Sequence, residues 1–193
     1  MGARAKAIMP LAIVVGVLSF LWSEFALNFT FHWAADAELV PGNFHFVIWA
    51  AFIAAGLFFA AGGDNAAATK IIVASIFGTV AALITMAVAP EIAAVPDFWG
   101  IALMVGIMAF VLVMVLVAGD WYYVAGTFPA FAATFAQWQV TGLDNWVPEG
   151  ASQPYGWVFL SVLASMVAGV IFLGLLAAKI TAAITPKPAA AEA

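Results

Sequence analysis

Apolar residues in this chain come in long unbroken runs separated by short polar breaks, which is the pattern of bilayer-crossing segments rather than of half-buried helices or alternating strands. The runs cover 7–28, 44–62, 70–89, 98–119 and 157–178, each close to the ~20 residues that cross a hydrocarbon core of ~30 Å. A weaker sixth run covers 121–138. Between them stand Phe29–Asn43, Gly63–Thr69, Pro90–Asp97, a corner at Asp120, and Gln139–Gly156. The tail 185–193, with Pro186 and Pro188 among alanines, has the composition of a short disordered end. The pattern predicts an all-α, polytopic membrane helix bundle: a single transmembrane domain of six helices.

Charge placement orients this bundle. Arg4, Lys6, Lys70, Lys179 and Lys187 all fall on one side of a six-crossing topology. The opposite breaks carry Asp36, Glu38, Glu91, Asp97, Asp144 and Glu149 and no Lys or Arg, so the positive-inside rule puts both termini in the cytoplasm. A dip and return at 121–138 would strand Lys179 and Lys187 outside, so a full crossing is expected there. Trp33, Trp99, Trp146 and Trp157 then mark the outer interface, and Trp121, Tyr122 and Tyr123 the inner one. Arg4 and Lys6 followed by apolar residues imitate a signal peptide, with Ala35-Asp36-Ala37 as its cleavage site. The run 7–28 is too long for a signal core, and a retained crossing is expected.

Composition agrees. With 67% hydrophobic and 8% charged residues among 193, the chain has too little polar surface to clothe a soluble globule. Ten acids against five bases form no basic stripe, which excludes nucleic acid as a partner, and the absence of cysteine excludes disulfides and thiol chemistry.

The run 121–138 is the least lipid-like. Pro129 removes a helical hydrogen bond and Gly126-Thr127 loosens the preceding turn, so a kink or half-helix break is expected, shielded from lipid in the bundle interior or along a pore. On a helical wheel Gly126, Ala130, Ala133 and Gln137 form a small or polar face, and Phe128, Phe131, Phe135 and Trp138 an aromatic one. Thr127, Pro129, Ala130, Thr134 and Gln137 are therefore the candidate lining of a solute pathway. Small residues at four-residue spacing, Ala74/Gly78/Ala82 and Ser161/Ser165/Gly169, read as packing seams.

Glu24 is the one acid inside a strongly apolar run, and a carboxylate there needs a partner, a proton or access to water. His32 and His45 belong to the same outer layer, so a proton-sensitive Glu24–His45 contact at an outer mouth is expected; the alternative is that Glu24 reaches the interface. His32, His45, Asp36 and Glu38 lack paired ligand spacing, so no metal site is expected. No nucleophile elbow, acid dyad or phosphate-binding Gly-Lys-Ser/Thr loop is present, so neither catalysis nor a cofactor is expected.

Gly126-Thr127-Phe128 followed by Ala132-Ala133-Thr134-Phe135-Ala136 resembles the "GTF…ATFA" stretch of domain-of-unknown-function family 1097, a family of bacterial inner-membrane proteins. Gly16-Val17-Leu18-Ser19, Trp22 and Ala26 are similar to that family's first-helix pattern. Family members often have a proline just before the Gly-Thr-Phe, where this chain has Ala125 and then its own Pro129. The resemblance covers most of the chain and implies an inner-membrane protein of about this size, with no established activity. In size and helix count such proteins are similar to compact six-helix urea channels and acetate–succinate permeases, although the Asn-Pro-Ala-Pro-Leu-Gly signature of the latter is absent. The functional expectation is an oligomeric channel or facilitator for a small polar or weakly acidic solute. Its alternatives are a non-transporting structural subunit of a larger membrane complex and a pigment- or quinone-binding protein using His32 or His45.

Overall fold

A computed structural model describes residues 2–30, 44–92, 99–140 and 155–185, and within them every regular element is helical. In chain order these are α1 (Ala3–Asn28), α2 (Ile48–Ala60), α3 (Asn65–Ile92), α4 (Trp99–Met114), α5 (Val124–Val140), α6 (Tyr155–Ala168) and α7 (Ala177–Ile184). A 3-10 turn, Val115–Ala118, extends α4; a π-helical stretch, Gly169–Leu176, joins α6 to α7 in one continuous rod. The described chain thus forms six rods. Four of them, α1, α3, α4 and the α6–α7 rod, are long and apolar enough to cross a membrane by length and composition.

The connections explain where the rods turn. Gly62 and Gly63 take positive φ of 119° and 71°, and the Gly63 N–H reaches back to the Phe58 carbonyl at 3.0 Å, which closes the C-terminus of α2. Asp64 then accepts the Ala67 N–H at 2.7 Å and starts α3. Past α4, Gly119 at φ 118° turns the chain. The Trp121 indole N–H then bonds the Ala118 carbonyl and the Tyr122 hydroxyl bonds the Leu112 carbonyl, both at 2.8 Å.

Two close helix contacts organise the interior. On α3, a Cβ at Gly78 would stand 2.7 Å from Ala130 Cβ and 2.8 Å from the Phe131 amide, so only a bare glycine lets α3 and α5 approach this closely. One turn away, Gly126 faces Ala74 in the same way, at 2.9 Å from its Cβ. In the π-helical stretch, Gly169 abuts the Ala51 backbone of α2 and Gly174 abuts the Phe58 ring. The two small-residue stripes therefore act as seams, one against α5 and one against α2.

Helices α1 and α4 flank this core. α1 buries a single four-residue stripe, Val14, Leu18, Trp22 and Ala26, while Ile13, Val17, Phe20 and Leu21 are exposed. On α4 only Gly100, Ile101 and Leu112 are buried. Outward faces this apolar are compatible with contact to a lipid bilayer. Lys6 and Ile184 line one hollow, so the two described ends of the chain lie at the same end of the bundle.

Two expectations change. The fifth helix is not broken at Pro129: α5 is continuous from Val124 to Val140. Proline falls in its second turn, where the lost bond concerns only the Ala125 carbonyl, and Ala125 is exposed. The second helix, expected from residue 44, begins instead at Ile48; Phe44–Val47 carries no helical structure, and Val47 is extended at φ −97°, ψ 100°.

Replacing Gly78 by Ala should destabilise the protein by about 1–3 kcal/mol, the usual range for overpacking a tight contact. Gly16→Ala, with open space around it, should be neutral or slightly stabilising. Thermal unfolding in detergent micelles checks both, and equal losses at the two glycines would contradict the α3–α5 contact.

Candidate functional site

Backbone that leaves a helix inside an apolar bundle must find hydrogen-bond partners there, and Phe44–Val47 does so through side chains remote in sequence. The Val47 N–H donates to Ser165 Oγ at 2.8 Å, and the His45 N–H donates to Ser161 Oγ at 3.3 Å. The Ser165 hydroxyl donates to the Ser161 carbonyl at 2.6 Å, which leaves its oxygen lone pairs free to accept from Val47. These two serines, one turn apart on α6, cap a helix start that has no capping side chain of its own.

From the same segment the His45 ring reaches α5, where its Nε2 lies 2.9 Å from Gln137 Nε2. Gln137 is almost fully buried. Neutral imidazole with its proton on Nδ1 accepts from the glutamine amide, whereas a rotated amide would present its oxygen to a protonated Nε2. The pair can therefore hold either state of the histidine, at the cost of an amide flip. Around Phe46 the rings of Trp22, Phe25, Phe29 and Phe44 gather at 5.0–5.4 Å between ring centroids, which fixes the segment from the α1 side.

Deeper along the bundle, Thr127 and Thr134 of α5 are fully buried and donate to the carbonyls of Tyr123, which immediately precedes α5, and of Ala130 within it. Ser75, Thr79 and Thr85 of α3 do the same with Ile71, Ser75 and Ala81. Each hydroxyl spends its proton locally and keeps acceptor capacity. Among the described residues the buried Ser, Thr and Gln side chains, Ser75, Thr79, Thr85, Thr127, Thr134, Gln137, Ser161 and Ser165, belong to α3, α5 or α6, and none is ionisable in the ordinary range.

Of the residues singled out from sequence, Thr127, Ala130, Thr134 and Gln137 are buried and Pro129 is partly so. They face protein: Ala130 packs on Gly78, and Gln137 holds His45. Glu24 departs from expectation. It is exposed, and its Oε1 accepts the Asn28 amide at 2.9 Å within the same helix, so the Glu24–His45 contact is replaced by Gln137–His45. His32, Asp36 and Glu38 lie outside the described residues, and so does the metal arrangement considered for them; among the described residues no three His, Asp or Glu side chains cluster. The extended segment itself was missed. Its signal was available in Pro41-Gly42-Asn43 followed by Phe-His-Phe-Val, turn residues and then strand-favouring ones.

The sequence profile of a family described as "Protein of unknown function (DUF1097)" matches residues 12–182. The chain belongs to this family. The match takes in the His45 segment, α5 and both serines of α6, so the DUF1097 region contains the whole polar site. No curated protein matches the chain, and no solved structure matches it.

Ser165→Ala should leave the Val47 N–H buried without an acceptor, lowering stability by about 1–3 kcal/mol. Faster hydrogen exchange at the Val47 amide should accompany the loss. Unchanged exchange there would show that another acceptor serves this segment.

Proposed function

We propose that this DUF1097 protein is a multi-pass protein of the bacterial cytoplasmic membrane, with both termini inside, that passes a small polar or weakly acidic solute through the interior of each protomer of a homo-oligomer. The observation that supports this reading is the gathering of the buried Ser, Thr and Gln side chains of the described residues on α3, α5 and α6, ending at the His45–Gln137 pair. Each of the Thr and Ser hydroxyls on α3 and α5 is already satisfied by a backbone carbonyl, so it is held in the interior at little cost with its lone pairs left to accept from a passing solute. Uncharged hydroxyl and amide groups suit a neutral solute, or a weak acid in its protonated form. In the described conformation the small face of α5 is packed on α3, so the pathway is closed, and opening requires that seam and the His45–Gln137 contact to loosen. No catalytic step belongs to this reading.

A second reading is a non-transporting subunit of a larger membrane complex. It is favoured by the hydroxyls of Thr127 and Thr134 being engaged by backbone carbonyls four residues back, Tyr123 and Ala130.

Flux distinguishes the two. In proteoliposomes the protein should accelerate the osmotic response to urea, glycerol or acetic acid over that of empty vesicles. Thr134→Val, which keeps the shape but loses the hydroxyl, should slow that flux by about fivefold, the equivalent of one hydrogen bond. Glu24→Gln should leave it unchanged, because Glu24 faces away from the interior. If none of the solutes moves faster than through empty vesicles, the subunit reading takes its place.

A further inference from the structure

At the end of the bundle where the two described chain ends meet, Lys6, Met9, Pro10 and Ile13 of α1 and Ile184 of α7 surround a hollow of about 360 Å³. The four α1 residues follow the i, i+3, i+4, i+7 spacing of one helix face, so α1 presents here a stripe that is cationic at its tip and apolar below. The volume is at the lower end of small-molecule sites, room for a polar group and the first part of a tail.

Charge at this end runs against the rest of the chain. The protein carries a formal net charge of −5. Yet neither α1 before Glu24 nor the rod from Tyr155 to Ile184 contains an acid, while Arg4, Lys6 and Lys179 on these two helices are all exposed. Lys6 therefore meets no carboxylate from either helix that flanks the hollow, and the occupant that matches its charge is an anion from outside the chain. Depth decides what kind of anion. Counted from the middle of the apolar run 7–28 at 1.5 Å per residue, Lys6 stands about 17 Å from the bilayer centre and Ile13 about 7 Å. The hydrocarbon half-thickness is ~15 Å and the headgroup layer reaches ~20–22 Å, so Lys6 lies at the level of lipid phosphates and Ile13 among acyl chains. A soluble anion matches only the first level and a hydrocarbon only the second.

We propose that this hollow is a site for one anionic phospholipid, with its phosphodiester against the Lys6 ammonium and an acyl chain along Met9, Pro10, Ile13 and Ile184. The lysine stem can lie on the apolar stripe while its ammonium stays at headgroup level. A zwitterionic headgroup would bring its own cation to an end that already carries Arg4, Lys6 and Lys179, so a net negative headgroup is preferred. The lining includes no residue of α3, α5 or α6, so the site stands whether or not a solute passes through the interior.

Native mass spectrometry of the full chain in detergent micelles, titrated with dioleoyl phosphatidylglycerol or dioleoyl phosphatidylcholine, tests this. The tails are identical, so any difference in affinity reports the headgroup. Phosphatidylglycerol should bind saturably and about fivefold more tightly than phosphatidylcholine. Lys6→Gln removes the charge at an exposed position and should erase most of that preference. Lys70→Gln removes an exposed base that does not line the hollow, and should leave the preference intact. Ile13 is 56% exposed, so Ile13→Trp should fold normally, crowd the acyl chain and weaken phosphatidylglycerol binding severalfold. Equal affinity for the two lipids, or equal losses in Lys6→Gln and Lys70→Gln, would reduce the effect to general surface attraction and overturn the proposal. Displacement of phosphatidylglycerol by inorganic phosphate, or binding insensitive to Ile13→Trp, would show that a bare anion suffices and would overturn it as well.

Discussion

The need to satisfy backbone N–H groups inside an apolar bundle governs how this chain is assembled. α2 begins at Ile48, four residues into its apolar run, and the segment before it offers amides that no helical carbonyl can accept. Ser161 and Ser165 meet the amides of His45 and Val47 from more than 110 residues away in sequence. That pairing sets the height of α2 against α6. Once it is set, Gly169 meets the Ala51 backbone and Gly174 meets the Phe58 ring, so hydrogen bonding and packing specify the same register.

Glycine and alanine set the second constraint. In a bilayer, helix association gains little from the hydrophobic effect, because lipid tails are as apolar as side chains; close van der Waals approach must supply the attraction instead. Gly78 against Ala130 and Gly126 against Ala74 bring α3 and α5 together on both faces of one contact. The π-helical geometry of Gly169–Leu176 serves the opposite rod. Its wider turn presents Gly169 and Gly174 to α2 along a stretch where Val170 and Leu173 are also buried.

These constraints divide the molecule into two chemical environments. Hydroxyls and one amide occupy the interior between α3, α5 and α6, while an aromatic and aliphatic groove opens between α1 and the last rod. Phe44–Val47 lies between them. Its His45 points to Gln137 on the polar side, and its Phe46 lines the groove on the apolar side. Alternation of side chains along extended backbone allows adjacent residues to serve opposite surroundings, which a helical start at residue 44 would not have done.

Local pattern along the chain was enough to establish that it is helical, that it contains membrane-length apolar rods, that it resembles DUF1097, and that Gly126, Ala130, Ala133 and Gln137 share one face of a helix. Hydropathy, helical periodicity and motif spacing are local properties, and residues within a few turns of one another carry them in full. Packing between distant segments set which seam met which helix. It turned Gln137 toward His45, left Glu24 outside with Asn28, and made Ser161 and Ser165 acceptors as well as packing residues. It also kept α5 continuous through Pro129, because the bond that proline forfeits lies near the helix start, at the exposed Ala125. Each of these outcomes depends on a partner distant in sequence or on where a helix begins, and neither is encoded in the local pattern of apolar and polar residues.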